Sequence, residues 1–177
     1  GTLTEGKPKL QSLKPSDDMM EDTLLQLVAS VETSSEHPLA QAIVNAASER
    51  GLKLSDASNF SSTTGEGVEA EVDGRKVAIG NAKLMRTLGV YSEEIGREAD
   101  VLRADGQTVM LSAIDGAFAG FIGVADPIKS TTIDAISRLK ADGLKIVMLT
   151  GDNETTARAV AQKVGIDDVR ADVSPED

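Results

Sequence analysis

The chain has 177 residues, of which 18 are lysine or arginine and 29 are aspartate or glutamate, so its formal net charge is −11. This acidity makes nucleic acid and anionic membrane surfaces poor partners. The absence of cysteine excludes a disulfide framework, a thiolate metal site and a catalytic thiol within these residues, and no apolar run approaches the ~20 residues of a membrane-spanning helix.

A helical hairpin is predicted for the N-terminal part of the chain. Residues 1–9 carry no helical period and are predicted to lead from a strand into a loop. Pro15 and Ser16 precede an acidic stretch, which marks the predicted start of a first helix. A second helix is predicted from Pro38 to about Arg50, because proline is favoured at the first helical position and a glycine follows the end.

An antiparallel sheet is predicted for the middle of the chain. Asp73-Gly74 and Asp115-Gly116 each lie between segments that alternate apolar and polar residues, and Asp-Gly at such a place is typical of a hairpin turn. Short helices are predicted over residues 81–88 and 92–104. The predicted class of this part is therefore α+β, an antiparallel sheet with helices packed against it.

The C-terminal part alternates helices and strands, which are predicted over residues 129–142, 144–150, 154–164 and 168–171. This alternation indicates an α/β domain with a parallel sheet. Because the antiparallel part interrupts a domain of another class, we predict an inserted domain over residues 10–122. Residues 1–9 and 123–177 would then form a partial α/β host domain.

The segment "LTGDN", residues 149–153, follows a predicted strand of the parallel sheet, where ligands bind at the carboxyl ends of strands. Thr150 offers a hydroxyl group, Gly151 allows backbone N–H groups to approach closely, and Asp152 can hold or orient a cation. These features suit a phosphoryl group with Mg²⁺. An ordinary helix-capping turn uses the same residue types, so both interpretations stay open here.

Two short glycine-containing segments are candidate ligand contacts. Residues 63–68, "TTGEGV", place two glycines where the backbone can touch a ligand, although the segment taken alone favours a plain flexible loop between strands. In "IGN", residues 79–81, Asn81 is a candidate cap of the next helix.

His37 is the single histidine of the chain. Pro38 favours an extended backbone at His37, so the ring is predicted to project from the tip of the helical hairpin, five residues after Glu32. A neutral imidazole can stack on a purine and hydrogen-bond to it. A helix-capping or partly exposed histidine is the alternative.

Four groups of motifs together resemble the catalytic region of the heavy-metal-transporting (P1B-type) P-type ATPases, most closely the copper(I) exporters. The motifs occur in the family's order over the whole chain: "GTLTEGKP", "SEHPLAQAI", "GEGV" with "VDGRKVAIGN", and "MLTGDN" with the terminal "SPED". The resemblance implies a nucleotide-binding domain inserted in a truncated phosphorylation domain of the haloacid dehalogenase type.

The resemblance also implies two sets of site residues and no metal-ligating set. The first set would bind ATP: Glu32, His37, Gly65, Gly67, Gly80 and Asn81. The second set would belong to the phosphorylation site: Thr2, Thr150, Gly151 and Asp152. In the first set, Glu32 and His37 would contact the adenine end of ATP. Gly65 and Gly67 would let the loop backbone approach the nucleotide, and Gly80 and Asn81 would complete that pocket.

By this resemblance, the parent protein would couple ATP hydrolysis, through an aspartyl-phosphate and with Mg²⁺, to export of copper(I) or silver(I). The chain would be a monomeric cytoplasmic part of an integral membrane protein. Its partners would be ATP and the transmembrane, actuator and metal-binding domains of the parent. By the same resemblance, the family's phosphorylated aspartate would stand shortly before Gly1, so we expect nucleotide binding without normal autophosphorylation.

Three alternatives remain from the sequence. Zinc or cadmium export is the nearest, because transport specificity would lie in membrane helices. A soluble phosphohydrolase of the haloacid dehalogenase type is the second. The third is a non-catalytic interaction module that docks a partner through Met19, Met20 or other apolar groups.

Overall fold

A computed structural model describes residues 2–173 and places them in two units. The first unit contains, in chain order, β1 (Lys9–Pro15), α1 (Glu21–Glu32), α2 (Pro38–Glu49), β2 (Ala57–Thr63), β3 (Gly67–Val72), β4 (Arg75–Gly80), α3 (Ala82–Thr87), α4 (Glu93–Arg103), β5 (Thr108–Ile114) and β6 (Ala117–Ala125). The second unit contains α5 (Thr132–Ala141), β7 (Val147–Leu149), α6 (Glu154–Val164) and β8 (Asp168–Arg170).

The first unit is built on a six-stranded sheet in the order β1-β6-β5-β4-β3-β2, in which all neighbours are antiparallel. Both predicted Asp-Gly turns are confirmed. Asp73 and Gly74 have φ of 50° and 75°, and Asp115 and Gly116 have φ of 51° and 78°. Positive φ at both central residues matches the right-handed twist of the strands that each turn joins.

Helices cover both faces of the sheet because successive strand residues point to opposite sides. The α1–α2 hairpin packs on one face, where Leu24, Val28 and Ile43 meet Val77 and Ile122. Helices α3 and α4 pack on the other face through a second cluster of buried side chains: Leu84, Met85, Leu102, Leu111 and Phe121. The predicted α+β class is confirmed.

Strand β1 corrects the prediction for the beginning of the chain. Pro15 and Ser16 do not start the first helix; Pro15 is the last residue of β1, and α1 begins at Glu21. β1 is an edge strand, where a proline with no N–H group is tolerated. The predicted domain limits at residues 10 and 122 fall inside β1 and β6, whose pairing extends to Lys9 and Ala125.

The second unit is a small α/β structure, as predicted. β7 and β8 pair in parallel, and α5 and α6 pack around Met148, Ala157 and Ile166. The predicted strand over residues 144–150 is shorter in the structure, because only Val147–Leu149 has a partner in β8. No helix within residues 2–173 is long and apolar enough to cross a membrane.

Two segments of the chain connect the units, one before β1 around residues 4–8 and one after β6 around residues 126–128; we call them the chain crossings. Thr4 pairs with Ile128, and the carboxylate of Asp126 accepts hydrogen bonds from the Gly6 and Lys7 N–H groups at 3.1 and 3.0 Å and from the Thr4 hydroxyl. The two connecting segments are therefore bound to each other next to the ends of β1 and β6.

Candidate functional site

His37 lies at the tip of the helical hairpin, as predicted, and is exposed. Its φ of −71° and ψ of 138° are extended, and its Nδ1 accepts a hydrogen bond from the Leu39 N–H group at 3.2 Å. The ring therefore caps α2. Among residues 2–173, no hydrogen bond occupies Nε2, which leaves one ring nitrogen and the ring faces for another contact.

Glu32 is the buried acidic group of the same tip. The residue is only 6% exposed, and burial raises the pKa of its carboxyl while a hydrogen bond from the Ser35 side chain lowers it. Ser35 also links Glu32 to His37, because its N–H group donates to the Glu32 carbonyl oxygen at 3.0 Å and its Oγ accepts from the His37 N–H group at 3.4 Å. Ser35 was not among the predicted site residues, although it is the first residue of the motif "SEHPLAQAI".

Gly67 and Gly80 lie directly opposite each other in β3 and β4. A Cβ on Gly67 would stand 2.3 Å from the Ile79 carbonyl oxygen, and a Cβ on Gly80 would stand 2.2 Å from the Glu66 carbonyl oxygen. These two glycines are therefore required by the close approach of two strands. Gly65 differs, because its φ is 72° and the space where its Cβ would lie is open, so Gly65 is the exposed part of the turn.

Asn81 links α3 to the turn between β2 and β3, residues 63–67, which we call the glycine turn. Its Oδ1 accepts from the N–H groups of Lys83 and Leu84 at 2.9 and 3.2 Å, which is the predicted helix cap. Its Nδ2 donates to the Gly65 carbonyl oxygen at 2.7 Å. Lys83 also forms an ion pair with Glu66 at 2.9 Å, so both Gly65 and Glu66 of the turn are held.

Alanine in place of Asn81 is expected to lower the free energy of unfolding by about 1 to 2 kcal/mol, because it removes both the helix cap and the bond to Gly65. Asn81→Asp is the matched control, since aspartate keeps the cap acceptor and loses only the donor to Gly65. Urea unfolding measures both variants. Equal losses in the two variants would show that the cap contributes nothing.

The segment after β7 forms a second cluster. The Thr150 hydroxyl donates to Asp152 Oδ2 at 2.9 Å and accepts from the Asp152 N–H group at 3.1 Å. The next residue, Asn153, caps α6 by accepting from the Thr155 N–H group. Gly151 leaves room at the backbone, since its Cβ would meet Val173 at 3.4 Å and nothing closer. Both the capping and the ligand-binding interpretations remain compatible with this turn.

Thr2, the remaining phosphorylation-site candidate, contacts Lys129. Its carbonyl oxygen accepts a hydrogen bond from Lys129 Nζ at 3.1 Å, which places Thr2 at the chain crossing. Within residues 2–173, no group of three ligating side chains could hold a metal ion. Asp152 offers a single exposed carboxylate, which fits Mg²⁺ only if phosphate oxygens and waters complete its coordination.

A cleft of about 350 Å³ lies between the two units. The residues that line it come from both chain crossings, the start of α2, β5 and α6, and they include Gly6, Pro38, Thr108, Asp126 and Asp152. The structure thus brings the residue next to His37 and the phosphorylation-site candidate Asp152 to one cavity. The glycine turn at Gly65 does not line this cleft.

The fold and this site define a class of protein. The family of haloacid dehalogenase-like hydrolases matches residues 1–177, and the chain belongs to that family. The resemblance to heavy-metal-transporting P-type ATPases is also confirmed by the relatives and solved structures described next. The quoted motif "SPED" lies outside the described residues, as does Gly1.

Among curated relatives, the chain is 52% identical to a copper-transporting P-type ATPase of Rhizobium leguminosarum bv. viciae, covering 99% of this chain and 21% of the relative. It is 50% identical to a copper-exporting P-type ATPase of Legionella pneumophila subsp. pneumophila, covering 100% of this chain and 24% of the relative. The chain therefore spans less than a quarter of the length of these relatives.

Two solved structures share the fold over the whole chain. A zinc-transporting PIB-type ATPase in its E2.Pi state matches with a TM-score of 0.77 and 37% identity, covering 100% of this chain and 28% of that one. The catalytic domain of the CPx-ATPase CopB-B matches with a TM-score of 0.68 and 26% identity, covering 100% of this chain and 60% of that one.

Proposed function

We propose that this chain is the ATP-binding part, with portions of the phosphorylation domain, of a P-type ATPase that exports copper(I) or silver(I). The observation that carries the proposal is the cleft that is lined both by Pro38 at the start of α2, next to His37, and by Asp152 of the second unit. Copper is favoured over zinc, because the copper-transporting relative is 52% identical and the zinc-transporting structure 37% identical.

His37 and Glu32 would hold the adenine end of ATP. The ring of His37 is exposed at the hairpin tip and fixed by its bond to Leu39, so it can stack on a base without first being ordered. Glu32 is a buried acceptor at the end of α1, in the same hairpin tip, which suits the amino group of adenine. Gly65 and the turn that Asn81 fastens would offer backbone contacts, and Gly67 and Gly80 would act by shaping that turn.

Asp152 would hold Mg²⁺ together with phosphate oxygens. When bound, Mg²⁺ neutralises the charge that develops during phosphoryl transfer. Thr150 orients the carboxylate of Asp152 through its hydroxyl, and Gly151 leaves the backbone open to the phosphate. The strongly acidic chain, with a net charge of −11, repels free ATP, so neutral backbone contacts and a cation are useful here.

The remaining assignments follow from the same proposal. The inserted unit would be the nucleotide-binding domain, with limits near Lys9 and Ala125 where β1 and β6 pair. The parent would be an integral membrane protein with this part on the cytoplasmic side. Its transmembrane, actuator and metal-binding domains would be the partners of the chain.

Replacing His37 by asparagine tests the proposal. Asparagine is a good helix cap, so Asn at this position should keep α2 stable while removing the ring. We expect the affinity for Mg·ATP to fall about tenfold, the effect of losing one stacked and hydrogen-bonded contact. An NMR titration of labelled protein measures the affinity, and the amides near Glu32, Gly65 and Gly80 should shift in the parent chain.

The matched control is Gln41→Ala, a change on the exposed side of the same helix, which should leave the affinity unchanged. Two results would contradict the proposal. One is an unshifted spectrum of the parent chain at millimolar ATP, and the other is equal affinity in the parent and the His37→Asn variant.

A further inference from the structure

The segment before β5 joins the two units through hydrogen bonds from both ends of α6. The Thr156 hydroxyl donates to the carbonyl oxygen of Gln107 at 2.7 Å, and both residues are 3% exposed. Lys163 Nζ donates to the carbonyl oxygen of Asp105 at 2.6 Å. Since both acceptors are backbone oxygens, the backbone of this segment is bound directly to α6; the segment comprises residues 105–107 and Thr108, the first residue of β5.

Gly106 makes this close fit possible. Its φ is 84°, and a Cβ there would lie 3.4 Å from a methyl group of Val160 on α6. A side chain at this position would therefore both strain the backbone and push against the helix. The segment 105–108 is shaped to lie flat against the second unit.

Thr108 adds a contact between the two units at the candidate phosphorylation site. Its hydroxyl donates to Asp152 Oδ1 at 3.3 Å, while Oδ2 of the same carboxylate accepts from Thr150 at 2.9 Å. Each oxygen of Asp152 is therefore held by a different unit of the molecule. No ion pair holds this carboxylate within residues 2–173, so the two hydroxyls determine its orientation.

We infer that Thr108 is a positioning residue that couples the orientation of the inserted unit to the orientation of Asp152. With the segment 105–108 seated on α6, Thr108 holds Oδ1 and turns the carboxylate toward the inserted unit. When the segment leaves α6, Oδ1 is released and becomes available to a cation. The consequence for phosphoryl transfer rests on the proposed function, whereas the contact itself does not.

The coupling is testable through the distance between the two units. Because the chain has no cysteine, Ser58→Cys and Ser137→Cys, both at exposed positions, accept one fluorescent donor and one acceptor. Single-molecule energy transfer without nucleotide then reports how often the units separate. Thr108→Val, which keeps the shape and removes the hydroxyl, is expected to raise the ratio of separated to seated molecules about fivefold.

Two companion variants make the result specific. Thr108→Ser restores a hydroxyl and should return the ratio to that of the parent. Thr87→Val removes a hydroxyl that bonds only within α3, to the Lys83 carbonyl oxygen at 3.2 Å, and should have no effect. An unchanged ratio in Thr108→Val, or the same rise in Thr108→Ser, would overturn the inference.

A second readout separates this inference from the proposed function. The ¹³C shift of the Asp152 carboxyl, measured without nucleotide, should change in Thr108→Val and recover in Thr108→Ser. If the parent chain does not bind Mg·ATP but these distance and carboxyl changes occur, the proposed function fails and the coupling stands. If Mg·ATP binds and neither change occurs, the coupling fails alone.

Discussion

Alanine in place of Gly80 is expected to lower the free energy of unfolding by about 3 kcal/mol. The added Cβ would lie 2.2 Å from the carbonyl oxygen of Glu66 and 2.9 Å from the Cα of Gly67. The Glu66 oxygen also accepts a hydrogen bond from the Asn81 N–H group at 2.8 Å. Because backbone atoms receive the clash, the turn has to open, and urea unfolding monitored by circular dichroism measures the loss.

Two further glycine variants distinguish the cost of a steric clash from the cost of a left-handed backbone conformation. Gly74→Ala is the control, since Gly74 has φ of 75° with open space around it, and left-handed backbone costs alanine about 1 kcal/mol. Gly67→Ala combines a φ of 151° with a contact of 2.3 Å to a backbone oxygen and should be at least as harmful as Gly80→Ala. A Gly80→Ala loss no larger than that of Gly74→Ala would contradict the role of close strand approach.

Glutamine in place of Glu32 is expected to change stability and ATP affinity in opposite directions. Burial raises the pKa of the Glu32 carboxyl above its ordinary value of 4.5, so the folded chain binds more protons than the unfolded chain between the two pKa values. The stability that this group contributes is therefore complete below the ordinary pKa and is lost as pH rises through the raised one. Glutamine cannot ionise and avoids that loss.

The measurement is the free energy of unfolding of the parent and of Glu32→Gln at about pH 4 and about pH 8. The free energy of unfolding of Glu32→Gln should exceed that of the parent chain by more at the higher pH than at the lower one. Its affinity for Mg·ATP should fall about tenfold, because the proposed charge-assisted hydrogen bond from adenine to Glu32 would become a neutral one. Glu36→Gln, at the exposed neighbouring carboxylate, is the control, and identical pH profiles for the parent and Glu32→Gln would contradict the prediction.

Features encoded over a few residues could be predicted from the sequence. The Asp-Gly turns, the start of α2 at Pro38 and the cap at Asn81 all depend on local chemistry, and the structure has all of them. β1 could not be predicted in this way, because its partner β6 lies more than a hundred residues further along the chain, as Lys9 pairs with Ala125.

The residues of the candidate site likewise fall into those whose geometry is set locally and those that depend on long-range packing. His37, Asn81 and Asp152 stand in short motifs whose geometry is local. In the structure His37 caps α2, Asn81 caps α3 and Asp152 bonds to Thr150 in the turn after β7. The contact between Gly67 and Gly80 depends on the register of two strands, which the spacing of the glycines does not reveal. Thr108 stands in no recognisable motif, and only the packing of α6 against the segment before β5 brings it to Asp152.

The pairing of β1 with β6 has a mechanical consequence. Because the first unit begins with β1 and ends with β6, which are adjacent, both of its connections to the second unit leave from one edge of its sheet. β2 is four strands beyond β6, so the glycine turn at its end lies about 19 Å from β6, and a rotation of about 10° at these connections moves it by about 3 Å. A small change at the Asp126 crossing is thus amplified at the far edge of the sheet.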